Sequence, residues 1–496
     1  MAYGSPYKKF LESELSPFDE NPMGWSEMLA WVYPNNYEVG MSNIGYQWLY
    51  GLLREHRYLL TERFFDFGDD PRSLEAGKKL GQFPAIAVSI PYELDVTRFL
   101  AMLKRAGIPL LSSERKRAPI IIAGGNAPTL NPYPYKDFFD IIVLGDGERW
   151  ANEFPRIIAE LNPGRCEKRD ILIRASEIPG VWIPEMDDQF TGERAVRDES
   201  IPAYTPIITS FGHFRNMFLI EIQRGCPFRC GFCSSPWLGN SFTNFSSESI
   251  LETYKKYGRG TKRVGLVGSA ISEHPQLEEI LVQLQNEGIE AHPSSIRLDR
   301  ISTKTIGILA DTGARSITFA PETASPRIGK MIGKSISKEE IIEAAKKLTK
   351  LGFSEMKLYW ILGLPDEEVC DIEMMVDFIR EILEKCEIRV ICSVNPFMPK
   401  PHSRFQDRPM MTHQELRRRF RMLKDGLKGL QRLNLEINYS FNSRLSAILS
   451  IGGTNLSKVM MNIAKGTPAK RALKDAGIDY RDEIVLDTKN PVLKIR

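Results

Sequence analysis

The stretch CPFRCGFC, Cys226 to Cys233, places three thiols in a C-x3-C-x2-C spacing directly after the apolar run MFLIEI (217–222). A closed structural iron-sulfur or zinc site takes four protein ligands, so three cysteines on one short loop leave a cluster iron with an open position. An open iron can bind a substrate or cosubstrate. The competing reading is a structural metal or a disulfide, but a zinc ribbon or a two-cluster ferredoxin needs further cysteine pairs. The remaining cysteines, Cys166, Cys370, Cys386 and Cys392, are scattered, and the last three read as core thiols.

Outward from this loop the chain alternates strand and helix. MFLIEI leads through the cysteines to a helix near 247–257, KRVGLVGSA (262–270) to a helix at 275–287, and EAHPSSIRLD to TKTIGILADTG. ARSITFAPETAS then leads to KEEIIEAAKKLTKLG, FSEMKLYWILGLP to EEVCDIEMMVDFIREILEK, and EIRVICSVNPF closes the series. Six strand runs with five intervening helices predict a partial (β/α)6 TIM-type barrel over 216–405, whose chemistry lies at the carboxyl ends of the strands. The cysteine loop follows the first strand and so opens onto that face.

On these residues the chain resembles the radical S-adenosylmethionine (SAM) superfamily, whose hallmark is the same C-x3-C-x2-C. The resemblance implies a 4Fe-4S cluster held by Cys226, Cys230 and Cys233, with SAM on the fourth iron, reductive cleavage of SAM, and a 5'-deoxyadenosyl radical that takes hydrogen from unactivated carbon. It also implies a reducing partner such as flavodoxin or ferredoxin. Phe232 matches the residue whose backbone lies near adenine; packing under the loop is compatible with that. Gly268 and Ser269, with Ala270, stand where relatives bond the SAM amino group through backbone carbonyls; alternatively they are a strand-to-helix turn. Arg297 offers a guanidinium fork to the SAM carboxylate, its rival partners being Glu322 and Asp299. Glu322 is expected near the SAM ribose or amino group, Gly363 where adenine approaches the backbone, and Asn395 and Phe397 near adenine or substrate. Tyr359 faces the mouth if Ile361 and Gly363 do. There it donates a proton or hydrogen atom to a substrate radical, or simply packs. His402, in MPKPHSRFQD, is expected to fold back towards the mouth.

The preceding region, 26–165, repeats the alternation. EMLAWVYP, PAIAVSIPYE (84–93), PIIIAGG (119–125) and FFDIIVLGDGE (138–148) are continuous apolar runs separated by helical patterns. Such runs indicate a parallel sheet covered on both faces, a doubly wound Rossmann-like domain that binds ligands at its strand ends. YPNNYEVGMSNIGYQ, SIPYELD, AGGNAPTLNPYP and DIIVLGDGE resemble the cobalamin-binding domain that precedes the cluster in one branch of radical SAM enzymes. The resemblance implies that Ser89, Gly124, Gly125 and Thr129 line the corrin and its nucleotide tail. The D-x-H-x-x-G motif of other cobalamin proteins is absent, and His56, the one His of this region, reads as a solvated helix residue. A domain of this shape that binds nothing, or another ligand, is the alternative.

Residues 1–25 read as an arm. Residues 166–215 read as a linker with a hairpin around Thr191-Gly192, and 406–496 as a mainly helical extension. Within it SFNSRLSAILSIGGTNLSKVMMNIAKG (440–466) resembles the substrate-proximal tail of the same radical SAM branch, which implies that it covers the open side of the barrel. The 496 residues carry a net charge of +3, which argues against a broad electrostatic grip on nucleic acid. The basic outer face of the helix HQELRRRFRMLKDGLKGLQRL reads as solvated; the alternative is a face for RNA or an acidic partner, against which its lack of aromatic interleaving counts. The start of the chain has no apolar signal core and no run is long enough to span a bilayer, so a cytoplasmic protein is expected. The expected function is cobalamin-dependent methylation of an unactivated carbon by a radical SAM methyltransferase. The alternatives are a radical SAM oxidoreductase, cyclase or coupling enzyme, and a non-catalytic iron-sulfur binding protein.

Overall fold

The structure is a computed structural model that describes residues 7–18, 24–163, 165–197, 201–238, 242–294, 296–297 and 301–485. The chain divides into two compact units, one of 1–218, 452–478 and 487–496, the other of 219–451 and 479–486.

The first unit is built on β1 (Glu27–Tyr33), α1 (Ile44–Glu55), β2 (Leu59–Phe65), β3 (Ala85–Ser89), α2 (Asp95–Arg105), β4 (Ile120–Gly124), β5 (Ile141–Val143), α3 (Glu148–Leu161), α4 (Lys168–Ser176) and β6 (Val181–Trp182). The sheet order is β2-β1-β3-β4-β5-β6, with β1 to β5 parallel and β6 antiparallel. Counting from β1, the parallel part runs 2-1-3-4-5, a doubly wound order whose switch point falls between β1 and β3. The strands are buried almost without interruption because helices cover both faces. Two short strands of the arm and the linker, Glu14–Leu15 and Ile208–Thr209, pair antiparallel. This places Glu14 on the buried Arg63, both of whose terminal nitrogens donate to it at 2.8 Å, while Glu75 takes the Arg63 Nε at 2.6 Å. A buried guanidinium is tolerated because it is matched by carboxylates on two sides.

The linker differs from expectation. Its α4 and β6 complete the first sheet, and in place of a hairpin at Thr191-Gly192 the segment continues to Ala195, which bridges Gly145 in parallel. The tail helices α13 (Leu456–Ala464) and α14 (Ala469–Asp475) also belong to this unit. α13 packs on α2, Lys104 donates to the Lys465 carbonyl at 2.8 Å and Asn131 to that of Gly452 at 2.8 Å, so this part of the tail is packed within the first unit.

The second unit runs β7 (Phe218–Glu221), α5 (Ser247–Tyr257), β8 (Arg263–Val267), α6 (Leu277–Asn286), β9 (Glu290–Pro293), α7 (Thr303–Asp311), β10 (Ser316–Glu322), α8 (Pro326–Ile332), α9 (Lys338–Lys350), β11 (Glu355–Leu362), α10 (Val369–Lys385), β12 (Arg389–Pro396), α11 (His413–Gly426), β13 (Leu433–Ile437) and α12 (Phe441–Ile451). Helix starts are fixed locally: Ser246, Ser302, Ser337 and Thr412 each accept an N–H of the following first turn, and Ser337 with Glu340 forms a capping box. The strands lie in chain order as β7-β8-β9 and β10-β11-β12-β13, joined by a parallel bridge between Ile296 and Phe319. The alternation therefore runs one unit further than the expected six strands, and residues after 405 supply α11 and β13. The register sets Leu358, Cys392 and Leu435 abreast, then Tyr359, Ser393 and Glu436. Along β11 burial strictly alternates: Met356, Leu358, Trp360 and Leu362 face the helices, while Lys357, Tyr359 and Ile361 lie half-exposed on the other face. Cys386 and Cys392 are core thiols as expected, whereas Cys370 is exposed. Among the described residues no helix is long and apolar enough to cross a membrane.

Candidate functional site

The cysteine loop leaves β7 at the end of the barrel where parallel-barrel chemistry sits. Its ends are pinned by a two-residue antiparallel ladder of Gln223–Arg224 with Thr243–Asn244. Within it, the Cys233 N–H donates to the Cys230 carbonyl at 3.1 Å and the Ser235 N–H to the Cys233 sulfur at 3.4 Å. Two other segments hold the loop from outside. The Gly231 N–H donates to Ile332 at 2.8 Å, and the Phe405 N–H donates to Gly231 at 2.9 Å. A Cβ on Gly231 would stand 2.5 Å from the Phe405 ring, so only glycine fits beneath it. Phe232 packs on an apolar cluster of Ile328, Ile332, Leu364, Phe397 and Phe405, and this cluster also accounts for Phe397. His402 does fold back: its ring stacks on Trp237 of the loop at 4.1 Å and 15°, and the Ser234 hydroxyl donates to the Pro401 carbonyl at 2.7 Å.

Cys226, Cys230 and Cys233 are all half-buried and free of disulfides. Burial pushes the Cys226 and Cys230 thiols up; the Phe228 backbone N–H offsets this for Cys226 and the Lys334 ammonium for Cys230. Among the described residues no group of three or more His, Cys, Asp or Glu is arranged to hold a single metal ion. A 4Fe-4S cluster takes each thiolate on a different iron, and three free, half-buried thiols on one loop supply such ligands.

Around the loop the strand ends converge. Gln223, buried just before the first cysteine, accepts the Ala270 N–H at 2.9 Å and donates to Asn244 at 2.8 Å, which fixes the turn of Gly268 and Ser269. The Gly268 carbonyl accepts the Ser294 hydroxyl at 2.8 Å and keeps one lone pair for another donor. Arg297 lies with its guanidinium 4.0 Å over the ring of Phe228, inside the cysteine loop, and its charge reaches Cys226, Cys230 and Glu322. Asp299, its other expected partner, lies outside the described residues. Glu322 ends β10 at φ +68° and forms a buried ion pair with Lys334 Nζ at 2.8 Å; burial raises its carboxyl while Lys334 and then Arg297 pull it down. Lys334 and Gln223 were missed by the sequence reading. The signal for Gln223 was a polar residue closing an apolar strand, whereas nothing local marks Lys334.

Gly363 has a requirement of its own. It takes φ +82°, a Cβ there would stand 2.7 Å from Leu416, and its N–H donates to Glu367 at 2.9 Å. Burial pushes the Glu367 carboxyl up to about 7, against that N–H and the Arg419 guanidinium at 2.8 Å. Tyr359 lies on the half-exposed face, abreast of Ser393 and Glu436, with the Lys357 ammonium 5.3 Å from its ring; Asn395 stands abreast of Ile361.

In the first unit Ser89 and Gly124 are paired in register at the carboxyl ends of β3 and β4. Gly125 takes φ +113°, and a Cβ there would meet the Ile90 carbonyl oxygen at 2.7 Å. These three positions form a half-exposed rim with no side chain larger than a hydroxymethyl, which suits the approach of a large flat ligand. Thr129 lies behind it, buried, with its hydroxyl accepting the Gly145 N–H at 3.1 Å. After β1 the chain reads NNYEVG, so Tyr37 stands where D-x-H-x-x-G has its His. Tyr37 is fully buried, donating to Glu14 at 2.6 Å with the Thr209 hydroxyl 3.1 Å from its oxygen, so its hydroxyl is satisfied within the protein. His56 is not the solvated residue expected: both ring nitrogens are engaged, by the Ala151 carbonyl at 3.1 Å and the Tyr58 hydroxyl at 3.0 Å. At the switch point burial pushes the Asp95 carboxyl up to about 6, and that carboxylate accepts the Tyr92 N–H at 3.2 Å.

A doubly wound unit followed by a parallel barrel with a three-cysteine loop after its first strand defines an iron-sulfur enzyme of the radical type. The family model described as "Radical SAM superfamily" matches residues 220–379, and that described as "Radical SAM proteins, N-terminal" matches residues 45–184. Together the two matches span more than half of the chain and place it in the radical SAM superfamily, whose members work with a 4Fe-4S cluster and SAM. An uncharacterised protein of Methanocaldococcus jannaschii is 26% identical over 456 residues, 90% of this chain and 93% of that one. The fold is shared with the radical SAM methyltransferase TsrM of Kitasatospora setae, solved with tryptophan and a SAM analogue (TM-score 0.53, 13% identity, 77% of this chain and 76% of that one). It is also shared with the cobalamin-dependent radical SAM enzyme OxsB, solved with aqua-cobalamin (TM-score 0.51, 14% identity, 84% and 58%).

Proposed function

We propose that this chain is a cobalamin-dependent radical SAM methyltransferase acting on an unactivated carbon. The observation that carries the reading is the cysteine loop: three free thiols at the end of the first barrel strand, braced from two sides, with the charges of Arg297, Lys334 and Glu322 around them. When bound, the cluster supplies the electron that cleaves SAM, and cobalamin supplies a methyl carrier.

The chain's own residues position and shield. Cys226, Cys230 and Cys233 would hold the 4Fe-4S cluster. Arg297 would offer its guanidinium to the carboxylate of SAM, and the Gly268 carbonyl, which already accepts from Ser294, would offer its other lone pair to the amino group. Lys334 Nζ donates to Glu322 at 2.8 Å and offsets part of the burial that raises its carboxyl, so the pair would set the charge beside the cationic cosubstrate. Tyr359 and Asn395 would line the substrate on the half-exposed face, and Ser89, Gly124 and Gly125 would meet the edge of the corrin. The methyltransferase reading is supported by the fold shared with TsrM and OxsB. A flavodoxin or ferredoxin in the cytoplasm is the proposed source of the electron.

The test is anaerobic reconstitution with iron, sulfide and hydroxocobalamin, followed by SAM and a strong reductant. The reading expects retained cobalamin absorbance, 5'-deoxyadenosine, and S-adenosylhomocysteine from a second SAM. 5'-Deoxyadenosine without cobalamin retention would leave a radical enzyme that does not transfer methyl groups, and neither product would leave an iron-sulfur binding protein.

A further inference from the structure

On the outer side of the second unit, α11 and the segment after β13 enclose a groove of about 500 Å³. α11 buries Leu416, Phe420 and Leu423 and turns Arg417, Arg421 and Lys424 to solvent at i, i+4 and i+7. Their rise along the helix is roughly 6 Å and then roughly 4.5 Å. The neighbouring arginines are neutralised, Arg418 by Glu415 at 2.8 Å and Arg419 by Glu367 at 2.8 Å. Among the described residues, by contrast, Arg417, Arg421 and Lys424 have no ion pair, and Asp425 is the one carboxylate in the groove. Three charges left unmatched on one stripe mark a place for anions.

Aromatic rings supply what the helix sequence lacks. Tyr439 stacks on Phe420 at 5.2 Å and 5°, and a 2.7 Å hydrogen bond between its hydroxyl and His413 Nδ1 fixes its plane. Phe441 forms a wall, held edge-on by Tyr480 at 5.0 Å. Phe420 is buried and Tyr439 half-buried, and Tyr439 lines the groove with its ring held on Phe420. α11 reaches β13 through the short segment 427–432, so His413 and Arg417 lie toward the carboxyl ends of the strands, the end that carries the cysteine loop. The groove thus runs along the helix towards the barrel mouth.

We infer that this groove binds single-stranded nucleic acid, a base stacking on Tyr439 and the phosphates meeting Arg417, Arg421 and Lys424. An unpaired cation stripe beside a rigid aromatic platform is the combination such strands require. The inference deepens the proposed function by naming the substrate class, and it rests on that reading only for what happens at the mouth.

The probe is a fluorescein-labelled 12-nucleotide single-stranded RNA of mixed sequence, titrated by anisotropy into the reconstituted full chain. Tyr439→Ala should weaken binding on the order of tenfold to a hundredfold, while Tyr439→Phe, which keeps the ring, restores it. Replacing Arg417, Arg421 and Lys424 together by Ala should lower the slope of log K against log salt by about 2. 5'-Deoxyadenosine formation without substrate should stay at the wild-type rate in these variants, showing that they are folded. Competition by poly-glutamate as strong as by RNA would overturn the inference in favour of an acidic polypeptide. Equal competition by free AMP would limit the site to a mononucleotide and overturn the strand. Absence of RNA binding in a chain that still cleaves SAM would refute the groove and leave the radical chemistry standing.

Discussion

The two sheets differ in what they leave uncovered. In the first unit β2 is buried at every residue and β1, β3 and β4 at nearly every one, so a ligand finds only the strand ends, where Ser89, Gly124 and Gly125 form a rim of small residues. In the second, β11 alternates strictly and β13 is half-exposed throughout, so one whole face carries Lys357, Tyr359, Ser393 and Glu436 towards an open interior. A complete TIM barrel fills that interior with apolar layers. This one keeps polar groups on that face, with Lys357 and Glu436 paired at 3.3 Å, and it is there that the proposed function places its substrate. One sheet receives a ligand on its edge and the other within its curve.

That contrast can be broken at single residues. The largest stability effect is expected in the second unit from Lys334→Met, which leaves Glu322 as an uncompensated buried charge at a cost of about 3 to 5 kcal/mol. Urea unfolding should show it, and Glu322→Gln in the same chain should recover most of it. Next comes Gly125→Ala in the first unit. A left-handed φ and a 2.7 Å approach to the Ile90 carbonyl should cost about 1 to 3 kcal/mol. Cobalamin retention should fall while 5'-deoxyadenosine formation persists, and loss of both would erase the division of labour between the sheets. Gly363→Ala should cost a similar or smaller amount, part of it recovered by a second change, Leu416→Ala, because Leu416 occupies the space a Cβ needs. A cosubstrate contact at Gly363 would instead appear as a raised KM for SAM that Leu416→Ala does not relieve.

The smallest expected effect concerns pH. Burial raises Glu367 to about 7 and Asp95 to about 6, so in each case the folded state holds its proton above the pH at which the unfolded chain releases it. Stability is greatest below the unfolded value near ~4 and falls as pH rises towards the folded one, levelling off above it. Glu367→Gln should flatten that fall up to about pH 7, and Asp95→Asn up to about pH 6, as read from denaturation midpoints across the range.

Much of this was legible in the sequence. The cysteine spacing, the strand runs and the period-two pattern of EMKLYWIL are local, and local patterns survive folding. β13 was not seen because LNLEI sets Asn434 and Glu436 among its apolar residues, where the polar interior of the barrel wants them. Lys334, Gln223 and Tyr439 were missed for a different reason. Lys334 acts through Glu322 twelve residues earlier, Gln223 through Ala270, and Tyr439 through Phe420, pairings that exist only once the strands are in register. The apolar stripe of Leu456, Val459 and Met460 packs with the first unit, a long-range pairing that no local pattern announces.

The central claim is that two cofactors are held by separate sets of residues, one set in each unit. Its most direct test is the absorption spectrum and SAM-cleavage assay of reconstituted Cys230→Ala beside the wild type. The account predicts that the variant keeps bound cobalamin, loses the iron-sulfur absorbance and forms no 5'-deoxyadenosine. A variant that still cleaves SAM, or a wild type that retains no cobalamin, would contradict it.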